Sequence, residues 1–196
     1  DFDLMAAFCH RIAPLHDQLG PLLLQFPSTV GPQNIHFIES VAARVPASFR
    51  AVVEVRHSGF FRQPDALMQL LRSHGFGLAV MDSRAVFKGN QSHPQVLAAL
   101  HEKPDVPVWN QLINRLLLVR LLLHPDLISN TQYIQQWVNR ITTALQQQCE
   151  VYMMIHCPNN QHCPPMALQF HDLLRQQLHN IEPLTPWPVP QQEQLL

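Results

Sequence analysis

Short apolar runs alternate along this chain with longer stretches in which apolar residues recur at helical spacing. Five runs read as strands: Leu22 to Phe26, Val52 to Arg56, Leu78 to Met81, Leu117 to Leu122 and Val151 to Ile155. Each is bounded by Pro, Gly or polar residues, and most are apolar on both faces, as a sheet covered by helices requires. Ile35, Ile38, Val41, Ala42 and Val45 form a helical stripe. A second helix is predicted to start near Pro64, bury Leu67, Leu70 and Leu71, and stop at Gly75. Asn130 is placed to cap a third, with Ile134, Trp137, Val138, Ile141 and Leu145 on its buried side. A last helix follows Pro164 and Pro165, with Phe170, Leu173 and Leu174 inward.

Strand starts recur about every 30 to 40 residues, the length of a βα unit. One unbroken order of strand, helix, strand predicts an α/β fold with a parallel sheet. An open doubly wound sheet and part of a (β/α)8 TIM barrel both satisfy it. No Gly-rich turn follows any strand, so neither a dinucleotide fingerprint nor a phosphate-binding P-loop is present. Residues 1–181 are read as the folded domain, and the Pro- and Gln-rich stretch 182–196 as a tail.

Ionisable residues inside the strands favour the barrel. In Val52-Val53-Glu54-Val55-Arg56-His57, alternation puts Val52, Glu54 and Arg56 on one face and Val53, Val55 and His57 on the other. Opposite charges on an apolar strand are costly unless paired and partly solvated, and the mouth of a barrel supplies that setting. Asp82 and Arg84 end the next strand, Arg120 stands among leucines in the following one, and His156 ends the last. Arg56 and Arg120 have the planar donors to clamp a carboxylate or phosphate. Glu54 or Asp82 would serve as general base or metal ligand, and His57 or His156 as proton shuttle. The competing reading is that these are ion pairs tying neighbouring strands together. The expectation is that Glu54, Arg56, Asp82 and Arg120 surround one hollow that takes a small anionic ligand.

Composition narrows the choice. Thirteen Lys and Arg against 14 Asp and Glu give a net charge of −1, which rules out a broad basic face for phosphate contacts along nucleic acid. The most apolar run, Leu116 to Leu123, is broken by Arg120 and is far below the ~20 residues of a membrane span. No basic-then-apolar leader opens the sequence, and four sparse cysteines suit a reducing compartment, so a cytoplasmic location is expected. The segment His156-Cys157-Pro158-Asn159-Asn160-Gln161-His162-Cys163 carries two His and two Cys, but its spacing fits no common zinc knuckle. Cys157 and Cys163 have the spacing to close a small loop under oxidising conditions. No cofactor is expected; a divalent metal is the alternative that the carboxylates leave open, with a metal-dependent nuclease as the matching function. A non-catalytic binding or sensor module is the other rival. Gln192-Glu193-Gln194-Leu195-Leu196 has the Gln-x-x-Leu-Leu pattern of peptides that dock on bacterial sliding clamps.

Several of these motifs resemble one family. Leu19-Gly20-Pro21-Leu22-Leu23-Leu24-Gln25-Phe26-Pro27, Val53-Glu54-Val55-Arg56-His57, Met81-Asp82-Ser83-Arg84 and Val119-Arg120 are similar, in order and spacing, to the YecE-like proteins, domain of unknown function 72. The resemblance implies a TIM barrel of uncharacterised activity, with Gln25, Glu54, Arg56, His57, Asp82 and Arg120 lining a cleft at the strand ends. It also implies that about five strands are present, the fourth to the eighth, so that the chain is expected to be a fragment of a longer bacterial protein. Such a fragment, expressed alone, is expected to associate through its open strand edges. Leu121-Leu122-Leu123 after Arg120, and Ile155-His156-Cys157 at the last strand, depart from the family's usual residues.

Overall fold

The computed structural model describes residues 2–185, and the clamp-like Gln192–Leu196 lies outside the described residues. Helix α1 (Phe2–Ile12) leads through a 3-10 turn to β1 (Leu22–Phe26). Then follow α2 (Ile35–Ala42), β2 (Ala51–Val55), α3 (Ser58–Arg62), α4 (Asp65–His74), β3 (Gly77–Asp82), α5 (Arg84–Lys88) and α6 (Pro94–Glu102). The chain continues with β4 (Leu116–Leu122), α7 (Thr131–Gln146), β5 (Glu150–His156) and α8 (Cys163–Gln177).

Local chemistry accounts for several boundaries. Gly75, left-handed at φ 69°, ends α4. There Phe76 N–H reaches the Leu71 carbonyl at 2.9 Å and Gly75 N–H that of Arg72 at 3.3 Å, satisfying carbonyls the helix leaves open. Pro64 stands just before α4 rather than within its first turn. Pro164 and Pro165 occupy the first turn of α8, where a missing N–H costs nothing.

All five strands are parallel and pair in sequence order, β1-β2-β3-β4-β5. A sheet that never reverses its winding keeps its crossovers on one side, because such connections share one hand. The packing shows it: Leu24, Val53, Val55, Leu78, Val80, Val119 and Leu121 join Leu67, Leu71, Trp137, Ile141 and Phe170 of the helices in one core. The opposite face carries a smaller apolar cluster of Val52, Ala79, Leu116 and Leu118, with Tyr152 against it. This is the one-directional βα winding of a barrel wall, not a doubly wound sheet.

The second face is strongly concave. Arg50, just ahead of β2, binds Glu150 and reaches the Tyr152 hydroxyl at 3.1 Å, both on β5. A Cβ on Gly20, just ahead of β1, would stand 3.3 Å from the Tyr152 ring. Residues at opposite edges of five strands touch across this face only if the sheet curls. Gly77 allows the close approach of β3 to β4, since a Cβ there would lie 2.4 Å from the Leu116 carbonyl oxygen.

Candidate functional site at the strand ends

Pairing fixes which side chains share the concave face. Gln25 is opposite Glu54, Met81 opposite Arg120, Arg120 opposite Met154, and Leu122 opposite His156. Glu54 is buried, at 1% exposure, and its carboxylate is held by two guanidinium groups. Arg56 Nε donates to Oε1 at 2.9 Å. Arg120 Nη1 donates to Oε1 at 3.1 Å and Oε2 at 2.8 Å. The Gln25 side-chain carbonyl bridges the same arginines, accepting from Arg56 Nη2 at 2.6 Å and Arg120 Nη1 at 3.0 Å. β1 and β4 are not neighbours, so the Gln25–Arg120 bond again spans the concavity.

Beyond Arg120 lies a cleft of about 130 Å3. Arg120, Lys103 and His156 line it together with Met81, Leu122 and the turn residues Cys157, Pro158 and Asn160. Burial pushes the His156 pKa below its ordinary value, and the cations Arg120 and Lys103 push the same way. An imidazole held neutral beside two cations is ready to take a proton once a negative group arrives. Lys103 follows α6 and also lies 4.0 Å from Glu102. The sequence pointed to His156 but not to Lys103, which only the packing of α6 brings to the strand ends.

Asp82 and Arg84 form a separate group. Met81 and Asp82 alternate, so with Met81 on the concave side Asp82 belongs to the helix side. Asp82 is fully buried there. Its Oδ1 accepts from the Arg84 backbone N–H at 3.0 Å and Nε at 2.9 Å. Its Oδ2 accepts from Arg84 Nη2 and from the indole N–H of Trp137 on α7, both at 2.7 Å. The Asp82 hydrogen bond holds the Arg84 pKa above its usual value. The expectation that Asp82 shares a hollow with Glu54 is therefore corrected. His57 is also elsewhere: its Nδ1 accepts the Gly59 N–H at 2.9 Å and caps α3. His124, fully buried, accepts from Asp126 N–H at Nδ1 and donates from Nε2 to the Asn90 carbonyl.

Among the described residues no three His, Cys, Asp or Glu side chains gather in a way that would hold a metal. Glu54 in particular has both oxygens taken by guanidinium groups, which is unlike an open metal ligand or a general base.

The description "Protein of unknown function DUF72" matches residues 1–192. The chain belongs to the DUF72 family. It is similar to the UPF0759 protein YecE of Escherichia coli (strain K12), at 29% identity over 98% of this chain and 71% of that protein. Among solved structures, a DUF72 protein from Enterococcus faecalis V583 matches with TM-score 0.66 at 17% identity, over 96% of this chain and 70% of that one. A DUF72 protein from Thermotoga maritima MSB8 matches with TM-score 0.63 at 18% identity, over 87% and 64%. These structural likenesses support the α/β fold of this DUF72 chain. No helix among its described residues is long and apolar enough to cross a membrane.

Proposed function

We propose that this DUF72 protein binds a small ligand through an oxyanion, a phosphate or carboxylate group, in the cleft between Arg120, Lys103 and His156. The observation that carries the reading is the imbalance of charge around Arg120. Two arginines share the single carboxylate of Glu54, and only Nη1 of Arg120 is engaged among the described residues. Its side chain remains 21% exposed at the cleft. The surplus cation, a lysine and a half-buried imidazole suit an oxyanion better than a neutral or cationic group. Gln25, Glu54 and Arg56 then act as positioning residues that hold Arg120 in place.

Phosphoester or other hydrolytic chemistry is the reaction class to test first, with His156 as the proton-transferring group. The alternative is a binding or sensor module without chemistry. One observation favours it: Glu54 is spent on the arginines, and no carboxylate lines the cleft among the described residues, leaving His156 as its imidazole for proton transfer. A metal-dependent nuclease has no matching ligand cluster among the described residues. Titration calorimetry with inorganic phosphate, on the protein and on Arg120→Ala, tests the reading. Binding that weakens about tenfold or more in the variant supports it, given the worth of charge-assisted bonds. Equal affinity in both proteins, or no binding to either, overturns it.

A further inference from the structure

We propose that Cys157, in the wall of this cleft, and Cys163 are a reversible disulfide-forming pair. The two Sγ atoms lie 3.5 Å apart as free thiols. A short turn holds them there. Asn160 N–H donates to the Cys157 carbonyl at 3.1 Å, and Cys163 N–H to the Asn160 carbonyl at 3.2 Å. Asn160 itself is left-handed, at φ 59°. Bonding at about 2.05 Å requires the sulfurs to close by about 1.5 Å, a movement within reach of side-chain rotation and a small shift of the turn. The neighbouring His156 and His162 do not complete a metal-holding group with the thiols, so sulfur chemistry is what the juxtaposition offers.

The co-reactant is a hydroperoxide, and hydrogen peroxide is the simplest. Cys163, the more exposed thiol, attacks as thiolate and breaks the O–O bond, giving a sulfenic acid and a hydroxide that takes up a proton as water. The buried Cys157 thiolate then attacks that sulfur. The S–O bond breaks, a second hydroxide leaves as water after protonation, and the S–S bond forms. Two thiols and one peroxide become one disulfide and two waters, and thiol reductants reverse it. Burial and the adjoining Cys157 push the Cys163 pKa up to about 11, so the reaction is slow at neutral pH and accelerates as the pH rises.

Cys157, Pro158 and Asn160 line the cleft, so pinning this turn reshapes one of its walls. That consequence rests on the oxyanion reading above, whereas the thiol pairing does not. The test treats the protein with hydrogen peroxide, alkylates remaining thiols, and weighs the peptide spanning 157–163. A peptide lighter by two hydrogens, unalkylated at both positions and restored by dithiothreitol, is the expected result. Phosphate affinity of the oxidised protein should fall on the order of fivefold, and Cys163→Ser should make it insensitive to peroxide. Two alkylated or over-oxidised cysteines with no cross-link overturn the pairing. A cross-link with unchanged phosphate affinity overturns its effect on the cleft. A wild-type protein that does not bind phosphate defeats the oxyanion reading, and the peptide mass still decides the pairing.

Discussion

Two buried carboxylates, on opposite faces of the same sheet, show how similar residues reach different ends. Asp82 receives four donors from one arginine and one indole, so one cation is hydrogen-bonded to it and both oxygens are filled. Glu54 is shared by Arg56 and Arg120, and one positive charge is left over. The first group faces helix α7 and ties β3 to it. The second faces the concavity and borders a cleft with two more basic side chains. The number of cations per carboxylate, more than residue type, separates a structural tie from a candidate binding site.

The largest expected effect breaks the balanced group. Arg84→Ala leaves a fully buried carboxylate with an indole and a backbone N–H but no hydrogen-bonded cation, and should cost about 3 kcal/mol or more in unfolding free energy by urea denaturation. Its phosphate affinity should stay unchanged. Arg120→Ala should do the reverse. Glu54 keeps Arg56, so the stability loss stays near about 1 kcal/mol, while phosphate binding weakens about tenfold or more. Equal stability losses in the two variants would erase the distinction between the groups.

The His156 pKa sharpens the comparison through pH. Its folded pKa lies below the ordinary value near 6.5. The unfolded chain therefore binds the proton first as the pH falls. The His156 contribution to stability is fully present above the ordinary pKa and is lost as pH falls through that value toward the lower folded one. A bound oxyanion favours the charged imidazole, so sulfate affinity should rise as the pH drops from about 8 to 5. His156→Gln should flatten that rise in calorimetry. The smallest effect is expected from Lys103→Ala. Its side chain is 41% exposed, and its loss should weaken phosphate binding only about twofold.

Much of the scaffold was legible in the sequence because parallel strands buried on both faces leave compact apolar runs. All five runs became strands within a residue or two of the expected ends. Helices α3 and α5, of five residues each, and α6 were not assigned. Within one strand, alternation also put Glu54 and Arg56 on the same face. What the sequence does not contain is the parity between strands. Asp82 and Arg120 both stand near strand ends, yet the pairing of Met81 with Arg120 sends Asp82 to the other side of the sheet. Lys103 was invisible for a related reason: its place depends on how α6 returns to β4, which no local pattern encodes.

The Arg50–Glu150–Tyr152 contact at the opposite end of the strands has a consequence for the cleft. Each of its bonds is exposed and contributes little energy. Its value is geometric: it acts as a hoop around the base of a curved wall, drawing β5 toward the entry of β2. A wall cinched at its base flares less at its rim. The aperture that Arg120 and His156 share is thus set partly by residues at the other end of the strands, and Arg50→Ala should widen that rim without touching any group that lines it.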